Sequence, residues 1–290
     1  MPTPVIIEAA INGATSKKRN PNVPIDEDEL VFDAIACLDA GAAIIHNHIA
    51  ASGLSGQDAA TVYLGVWRRV LAERPDALWY PTINFGPPAG WYDHIEPLAK
   101  SGLLRMTLCD PGSVNLGGVR HGLPTGAYVY ANSFDSIAHQ MELGRELGLG
   151  PSIAIYEPGF LRAVLAYHRA GLLPAGAFVK LYLAGDRGLG GSPFGLPPTV
   201  AALDAYLELL DGTGLQWAVS AVGDDAPSTP AGRAALARGG HLHIGLEFYG
   251  GGRTPTNVEL VHEAVAASAA VGRPVATSVE AAAILGLPMA

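Results

Sequence analysis

The chain has 290 residues, 49% of them hydrophobic, which is enough to bury the core of one α/β barrel or of two modest domains. Its net charge of −9 argues against nucleic acid as the main partner, because nucleic-acid-binding surfaces are strongly basic. Two cysteines, Cys37 and Cys109, are too few for a disulfide scaffold and fit a reducing compartment. No cationic segment followed by a long apolar one precedes the first predicted strand, so we expect a cytoplasmic protein without a membrane partner.

Apolar, strand-like runs alternate with helical segments along the chain. Eight such runs predict a (β/α)8 TIM barrel, whose usual length is about 250 residues. They lie at Val5–Asn12, Ala43–His48, Leu78–Asn84, Leu104–Cys109, Ser152–Glu157, Phe178–Leu183, Gln216–Val222 and His241–Phe248. A further apolar piece, Tyr128–Ala131, predicts an elaborated loop or hairpin after the fourth strand. No linker or repeat divides the chain, so we expect residues 1–290 to form a single domain.

The first predicted helix carries its own start and stop signals. Asp26 and Glu29 have the three-residue spacing of a capping box, and Gly41 stands where a helix usually ends in a left-handed residue. Cys37 falls on the apolar face of this helix, so we expect it to be a core residue. Glu8, in the first strand, is predicted to point into the barrel, where it would need a partner.

Two histidines end the second predicted strand, in the sequence His46-Asn47-His48. Residues two apart in a strand share a face and lie about 7 Å apart, so one metal ion bound at about 2.0–2.1 Å from each can bridge them. Glu247 lies near the end of the last strand, one strand away around a closed barrel. His46, His48 and Glu247 therefore predict a metal site with an open position, as catalytic zinc requires. The alternatives are histidines bonded to loop or water, and a Glu247 paired with Arg253.

Nine segments share their order and spacing with one known family. They are Glu8–Gly13, Pro21–Ile25, Ala40–His48, Met106–Leu108, Ile155–Gly159, Trp217–Val219, Gly239–Glu247, Asn257–Leu260 and Gly272–Thr277. On these segments the sequence resembles the β-keto acid cleavage enzymes. The resemblance implies a zinc-binding TIM barrel, usually a homo-oligomer such as a dimer or tetramer. It implies a reaction between a β-keto acid and acetyl-CoA that gives acetoacetate and a new acyl-CoA, with the zinc on His46, His48 and Glu247.

Several site positions depart from the family's pattern. His243 stands where the family usually carries Arg, and Phe248 where it carries Asp. The segment Ile83-Asn84-Phe85-Gly86 replaces a Ser/Thr-Thr-Gly-Gly turn, Cys109 replaces an Asn, and Thr15 replaces an acidic residue. These departures keep two alternatives open: a CoA-independent zinc-dependent lyase, aldolase or hydrolase, and a non-catalytic protein that binds a metal or ligand.

Three residues are candidates for the missing acid–base groups. His243 shares the predicted strand face of Glu247 and could act as a base or a cation, or remain an ordinary core histidine. Asp110 ends the fourth strand and could serve as an acid, although Asp-Pro-Gly is also a common turn. Glu157 ends the fifth strand and matches an acidic residue of the family.

Three further residues are predicted to bind the substrate's oxygen atoms. They are Asn12, Asn84 and Thr107, each of which could instead satisfy loop backbone. The side chains of Ile83, Phe85 and Phe248 are predicted to make the pocket more apolar than that of the better-known relatives. We therefore expect the substrate's R group to carry little charge.

Overall fold

The computed structural model describes residues 2–50, 53–84, 88–185, 188–189 and 191–288. In these ranges the strands are β1 (Ile7–Ala10), β2 (Ile44–Asn47), β3 (Leu78–Pro81), β4 (Met106–Cys109), β5 (Val114–Arg120), β6 (Leu123–Tyr130), β7 (Gly150–Ile155), β8 (Phe178–Ala184), β9 (Gln216–Val222) and β10 (His241–Ile244). The α-helices there are α1 (Glu27–Ala40), α2 (Gly56–Glu73), α3 (Ile95–Lys100), α4 (Phe134–Glu146), α5 (Pro158–Arg169), α6 (Val200–Leu210), α7 (Pro230–Ala237), α8 (Asn257–Ala270) and α9 (Ser278–Leu285).

Eight of the described strands form one parallel sheet, in the order β3-β2-β1-β10-β9-β8-β7-β4. The two end strands, β3 and β4, lie next to each other, so the sheet nearly closes into a barrel with the helices between strands. The predicted TIM barrel is confirmed. β5 and β6 pair as an antiparallel hairpin between β4 and α4, which confirms the elaboration predicted there. The single domain over residues 1–290 stays a prediction.

The last barrel strand is shorter than the sequence predicts. It ends at Ile244, because Gly245 takes a left-handed φ of 122° and a Cβ there would lie 2.2 Å from the carbonyl oxygen of Ala10. The prediction that Glu247 continues the strand alternation was wrong: Glu247 lies in the turn after β10. Its N–H donates to the Ala10 carbonyl at 3.1 Å, which fixes the turn against β1. The third strand likewise ends early, at Pro81, so Asn84 lies in the loop after it.

The limits predicted for α1 are confirmed. Glu29 N–H donates to Asp26 Oδ1 at 2.9 Å, and Asp26 N–H to Glu29 Oε2 at 3.4 Å, which completes the capping box. Gly41 ends the helix with φ of 117°, and Cys37 is fully buried in the core. Among the described helices, none combines the length and apolar character that crossing a membrane requires.

A cluster of three polar side chains lies inside the barrel. Lys180 Nζ lies 3.0 Å from Glu8 Oε1, and both side chains are almost completely buried. The hydroxyl of Tyr80 donates to the same oxygen of Glu8. Glu8 therefore has the partner that its predicted interior position demands, since an unpaired buried carboxylate would be costly.

Candidate functional site

His46, His48 and Glu247 come together at the carboxyl ends of the strands. His46 lies in β2, His48 follows it, and Glu247 lies in the turn after β10. Glu247 Oε2 lies 3.4 Å from His46 Nε2, and Glu247 Oε1 lies 3.1 Å from His48 Nε2. One ligand atom from each residue can be chosen so that all lie within 4.8 Å of one another. This spacing suits atoms bound at about 2.0–2.2 Å from one divalent ion.

Tyr80 orients the imidazole ring of His46. The Nδ1 atom of His46 lies 3.1 Å from the carbonyl oxygen of Tyr80, so a proton on Nδ1 leaves Nε2 free to bind a metal. The His46 ring also stacks on the Tyr80 ring, with centroids 4.4 Å apart. These contacts orient the imidazole toward Glu247 without using the nitrogen that a metal would need.

Asn12 holds the backbone of His48. Its side-chain oxygen accepts hydrogen bonds from the N–H groups of His48 and Gly13, each at 2.8 Å, and its nitrogen donates to the His48 carbonyl at 3.0 Å. The structure thus places Asn12 behind a predicted metal ligand, and it is not among the described residues that line the neighbouring cavity. Substrate binding by Asn12 stays a prediction.

The carboxylate of Glu247 fits a bound cation. Its Oε2 atom is buried and accepts no hydrogen bond from any residue that the structure describes. Gly13 packs against the side chain with φ of 56°, and a Cβ there would lie 2.2 Å from Glu247 Cγ. A buried carboxylate oxygen without a donor is unfavourable, and a metal ion would satisfy it. The donor set therefore suits a divalent metal.

The protonation states also suit a metal. Burial lowers the pKa of His46 to about 3, so its imidazole is neutral at pH 7. Burial alone would raise the pKa of Glu247, yet the adjacent His48 and His46 lower it to about 2. A neutral imidazole and an ionised carboxylate are the forms that bind metals.

A cavity of about 550 Å³ opens beside these residues. His48 and Glu247 form part of its wall. The other described lining residues are mostly aromatic or aliphatic, and include Ile83, Leu116, Tyr128, Tyr130, Tyr156, Leu189, Val222 and Phe248. Ile83 and Phe248 thus lie where the sequence predicts an apolar wall, whereas Phe85 and Gly86 lie outside the described residues.

Asp110 is the predicted acid–base residue that lines this cavity. It follows β4, and its Oδ2 accepts a hydrogen bond from the Tyr130 hydroxyl at 2.5 Å. Its own N–H donates to the side-chain oxygen of Gln140 at 2.8 Å. Burial raises the pKa of Asp110 to about 6, although the Tyr130 hydrogen bond and the charge of Lys180 act in the opposite direction. The carboxyl can therefore exchange a proton near neutral pH.

His243 lies inside the barrel, enclosed on all sides. Its side chain is fully buried, its ring stacks on Tyr182, and its Nε2 lies 3.2 Å from Glu8 Oε1 without good hydrogen-bond geometry. Burial, with smaller contributions from Lys180 and His46, holds the pKa of His243 well below 6.5. The structure thus places a neutral imidazole at this position, and His243 is not among the described residues lining the cavity.

The remaining predicted site residues contact neighbouring backbone or core. Glu157 lies just before α5, and its Oε1 accepts a hydrogen bond from Gly195 N–H at 2.8 Å. Asn84 donates from its side chain to the Leu54 carbonyl at 2.8 Å. Thr107 is buried in β4. None of these three is among the described lining residues, so their roles stay predictions.

Sequence reasoning missed the tyrosines of the cavity and the interior Tyr80. Tyr128 and Tyr130 reach the site from β6, a hairpin strand that antiparallel pairing places over the barrel. Tyr156 follows β7 and Tyr80 lies in β3. The signal that could have found Tyr80 and Tyr156 is their position at or near the ends of barrel strands.

The fold and the site together define the class of protein. It is a TIM barrel with a candidate metal site, formed by two histidines and a carboxylate at the carboxyl ends of the strands. A search of solved structures agrees with the fold. The protein ObcA superposes with a TM-score of 0.67 at 16% identity, over 93% of this chain and 66% of that one. At this identity the likeness shows the fold alone.

The sequence model of the beta-keto acid cleavage enzyme family matches residues 4–287, and the chain belongs to this family. It is 25% identical over 288 residues to the 3-keto-5-aminohexanoate cleavage enzyme of Acetoanaerobium sticklandii, covering 98% of each chain. It is 26% identical over 298 residues to the 3-oxoadipate:acetyl-CoA acetyltransferase of Cupriavidus necator, covering 99% of this chain and 96% of the relative. The chain is therefore an enzyme that cleaves β-keto acids.

Proposed function

We propose that this enzyme transfers the acyl group of a β-keto acid to CoA in a zinc-dependent exchange with acetyl-CoA. A substrate R–CO–CH₂–COO⁻ and acetyl-CoA give acetoacetate and R–CO–S-CoA. One carbon–carbon bond forms between the substrate's C2 and the acetyl carbon. The bond between C2 and C3 breaks, and the CoA sulfur moves from the acetyl group to the R–CO group. The name of the Cupriavidus necator relative, which pairs a keto acid with acetyl-CoA, supports this reaction.

The observation that carries the proposal is the group formed by His46, His48 and Glu247, of which His48 and Glu247 lie in the wall of the cavity. We propose that these residues hold Zn²⁺, because two histidines and one carboxylate leave a coordination position open. A zinc ion bound there supplies Lewis-acid polarisation of the substrate's carbonyl group and carboxylate. Glu247 and the two histidines thereby fix one end of the keto acid next to the cavity wall.

The chain's own residues shape the rest of the site. Of the three predicted acid–base residues, Asp110 is the one among the described residues that line the cavity. Asp110 is therefore the one that contacts the substrate directly. His243 is neutral and enclosed, and Glu157 binds the backbone of Gly195, so both act through the scaffold. Aromatic and aliphatic walls reduce the water around the reacting carbon atoms, which strengthens electrostatic interactions there.

Family resemblance also supports a cytoplasmic homo-oligomer, a dimer or a tetramer. The hairpin of β5 and β6 is largely exposed in the single chain, so its surface is available for contacts between subunits. Light scattering after size-exclusion chromatography measures the mass directly. A mass of two or four chains is expected, and a mass of one chain would contradict this part of the proposal.

The test combines zinc-loaded protein, acetyl-CoA and a panel of 3-keto acids, and follows acetoacetate and new acyl-CoA by mass spectrometry. Protein stripped with a chelator and then reloaded provides the metal control. We expect acetoacetate and one new acyl-CoA that both depend on zinc. Zinc-dependent turnover without any need for CoA would instead favour a lyase, aldolase or hydrolase on the same barrel.

A further inference from the structure

Four cations lie on the two loops that border one side of the cavity. Lys17, Lys18 and Arg19 are consecutive and exposed in the loop after β1, and Arg19 is among the described residues that line the cavity. Arg253 lies in the loop after β10. We call these four residues the cationic rim. In a chain with a net charge of −9, a local concentration of positive charge at a cavity wall favours an anionic ligand there.

Direct contacts hold the two loops of the cationic rim together. The guanidinium of Arg19 donates to the carbonyl of Tyr249 at 3.1 Å, and the guanidinium of Arg253 lies 6.0 Å from the centre of the Tyr249 ring. The buried side chain of Asn20 donates to the carbonyl of Pro255 at 2.8 Å. Both arginines therefore contact one tyrosine, so their charges act on the same region beside the cavity.

Two members of the cationic rim have no carboxylate partner among the residues that the structure describes. They are Lys18 and Arg19. Lys17 pairs with the capping glutamate of α1, and Arg253 pairs with a glutamate of α8. Ion pairs between exposed side chains contribute little, so an anion with several charges can compete for these two cations as well.

The loop after β10 adds backbone donors to the cationic rim. It contains three consecutive glycines, and the N–H groups of Gly251, Gly252 and Arg253 donate to no acceptor in the ranges that the structure describes. A Cβ at Gly252 would meet no atom within 4 Å, so a ligand can approach this backbone closely. Phosphate groups in TIM barrels frequently bind to the loops after the last strands, and β10 is the last strand of this barrel.

We propose that the cationic rim binds the phosphate groups of CoA, with Lys18, Arg19 and Arg253 as the direct contacts. This inference rests on the proposed reaction, and it assigns the end of the cosubstrate that takes no part in the chemistry. The thioester and the pantetheine arm of acetyl-CoA are uncharged, so the largely apolar cavity suits them, whereas the phosphates need cations. Arg19 is exposed and also lines the cavity, so the arm can run from the cationic rim into the cavity toward the candidate metal site.

Acetyl donors of different charge test the proposal. Zinc-loaded protein is assayed with acetyl-CoA, with 3′-dephospho-acetyl-CoA and with S-acetylpantetheine, which has no phosphate. We expect kcat/KM to fall at each step, by roughly 10-fold or more between the first and the last donor, because charge-assisted hydrogen bonds to phosphate are lost while the reacting thioester stays the same. Equal kcat/KM for acetyl-CoA and S-acetylpantetheine would overturn the proposal.

The double variant Lys18→Gln/Arg19→Gln assigns the effect to the cationic rim. We expect its KM for acetyl-CoA to rise by about 10-fold or more, and the ratio of kcat/KM for acetyl-CoA to kcat/KM for S-acetylpantetheine to fall in proportion. This ratio does not depend on how much of the protein is folded. Arg69→Gln, at an exposed arginine of α2 paired with Asp28, is the matched control and should keep the wild-type ratio. A wild-type ratio in the double variant would overturn the proposal.

Binding measured by calorimetry separates this inference from the proposed reaction. If no keto acid gives a new acyl-CoA, the proposed reaction fails, and CoA, pantetheine and adenosine 3′,5′-bisphosphate still serve as binding probes. We expect CoA to bind the wild-type protein more tightly than pantetheine does, with an advantage that decreases as salt is added and in the variant Arg253→Gln. Equal affinities for CoA and pantetheine would overturn the inference. Adenosine 3′,5′-bisphosphate binding as tightly as CoA would overturn it too, because the cationic rim would then select a free nucleotide.

Discussion

The predicted metal ligands are the residues whose chemistry is best defined by their surroundings. His46 is neutral with Nε2 free, and Glu247 is ionised with a buried oxygen that no described residue bonds. Tyr80 orients the His46 imidazole, and the side chain of Asn12 holds the backbone of His48. The site is therefore prepared for a cation before one binds, which lowers the cost of ordering on binding.

Glu247→Gln tests this directly at the level of one residue. Glutamine keeps the size of the side chain and removes its negative charge. We expect zinc affinity, measured by competition with a chromogenic chelator, to fall by at least about 100-fold, since even residues that only support a ligand contribute 10- to 100-fold. Glu263→Gln, at a half-exposed carboxyl paired with Arg253, is the matched control. Unchanged zinc affinity in Glu247→Gln would show that these residues are not the ligands.

Asp33 gives a pH prediction outside the site. Its Oδ2 accepts a hydrogen bond from Asn257 at 2.6 Å, and burial raises its pKa to about 7, which that bond partly offsets. The unfolded chain ionises this carboxyl near its ordinary value of 3.8, so folding stability falls as the pH rises from about 4 to about 7. Asp33→Asn removes this penalty. Between pH 5 and pH 8, its stability relative to wild type should rise by about 1–3 kcal/mol.

Urea unfolding of both proteins at the two pH values measures this difference. Asp28→Asn, at an exposed position of the same helix, is the control. A gain that is the same at pH 5 and pH 8 would mean that Asp33 is ionised in the folded protein throughout this range.

At the scale of single residues, the sequence indicates candidate ligands more readily than it indicates their surroundings. His46 and His48 can be picked out from the sequence, because two imidazoles at the end of an apolar strand have few other uses. The role of His243 depends on what surrounds it, and only the fold shows that Glu8, Tyr182 and the barrel wall enclose it. Likewise, the pattern Asp-Pro-Gly could not show that Asp110 faces a cavity.

The turn after β10 is the element on which the candidate metal site depends most. Gly245 lets the chain leave the strand with a left-handed φ, and Glu247 then reaches His46 and His48. The structure brings Glu247 next to the two histidines, as the sequence predicts, although the strand alternation on which that prediction was based does not extend to position 247. Close approach of Gly245 to the Ala10 carbonyl could not be inferred from periodicity alone.

Gly245→Ala should therefore displace Glu247. A Cβ at this position would lie 2.2 Å from the Ala10 oxygen, in addition to the strain of a left-handed residue. Gly239→Ala is the matched control, because Gly239 also has a positive φ of 89° but no atom lies within 4 Å of its added Cβ. We expect both variants to lose about 1 kcal/mol or more in urea unfolding. Only Gly245→Ala should also lose zinc affinity.

Equal zinc affinities in these two glycine variants would contradict the role of the turn.

The hairpin of β5 and β6 shows a different limit on what the sequence predicts at the scale of an element. Its existence is predictable from the apolar Tyr128–Ala131 piece, whereas the contribution of Tyr130 to the site requires the register of β6 against β5. Register between two short, half-exposed strands is weakly encoded in their hydrophobic pattern.

Over the whole molecule, the TIM barrel explains why residues distant in the sequence form one site. β1 pairs with both β2 and β10, so side chains near positions 46 and 247 meet at one end of the barrel. Alternating strands and helices make this fold predictable from the sequence. The cavity itself combines loops and a hairpin from several units, and its shape could not be predicted because no local pattern encodes contacts between loops.

The central claim is that the acyl group of the keto acid is exchanged with that of acetyl-CoA. The most direct measurement uses acetyl-CoA with ¹³C in both acetyl carbons, a 3-keto acid that the enzyme consumes and zinc-loaded enzyme, with the label located by NMR. We predict ¹³C at C3 and C4 of acetoacetate and an unlabelled new acyl-CoA. Label found only in acetate or in unchanged acetyl-CoA, while the keto acid is consumed, would contradict the exchange.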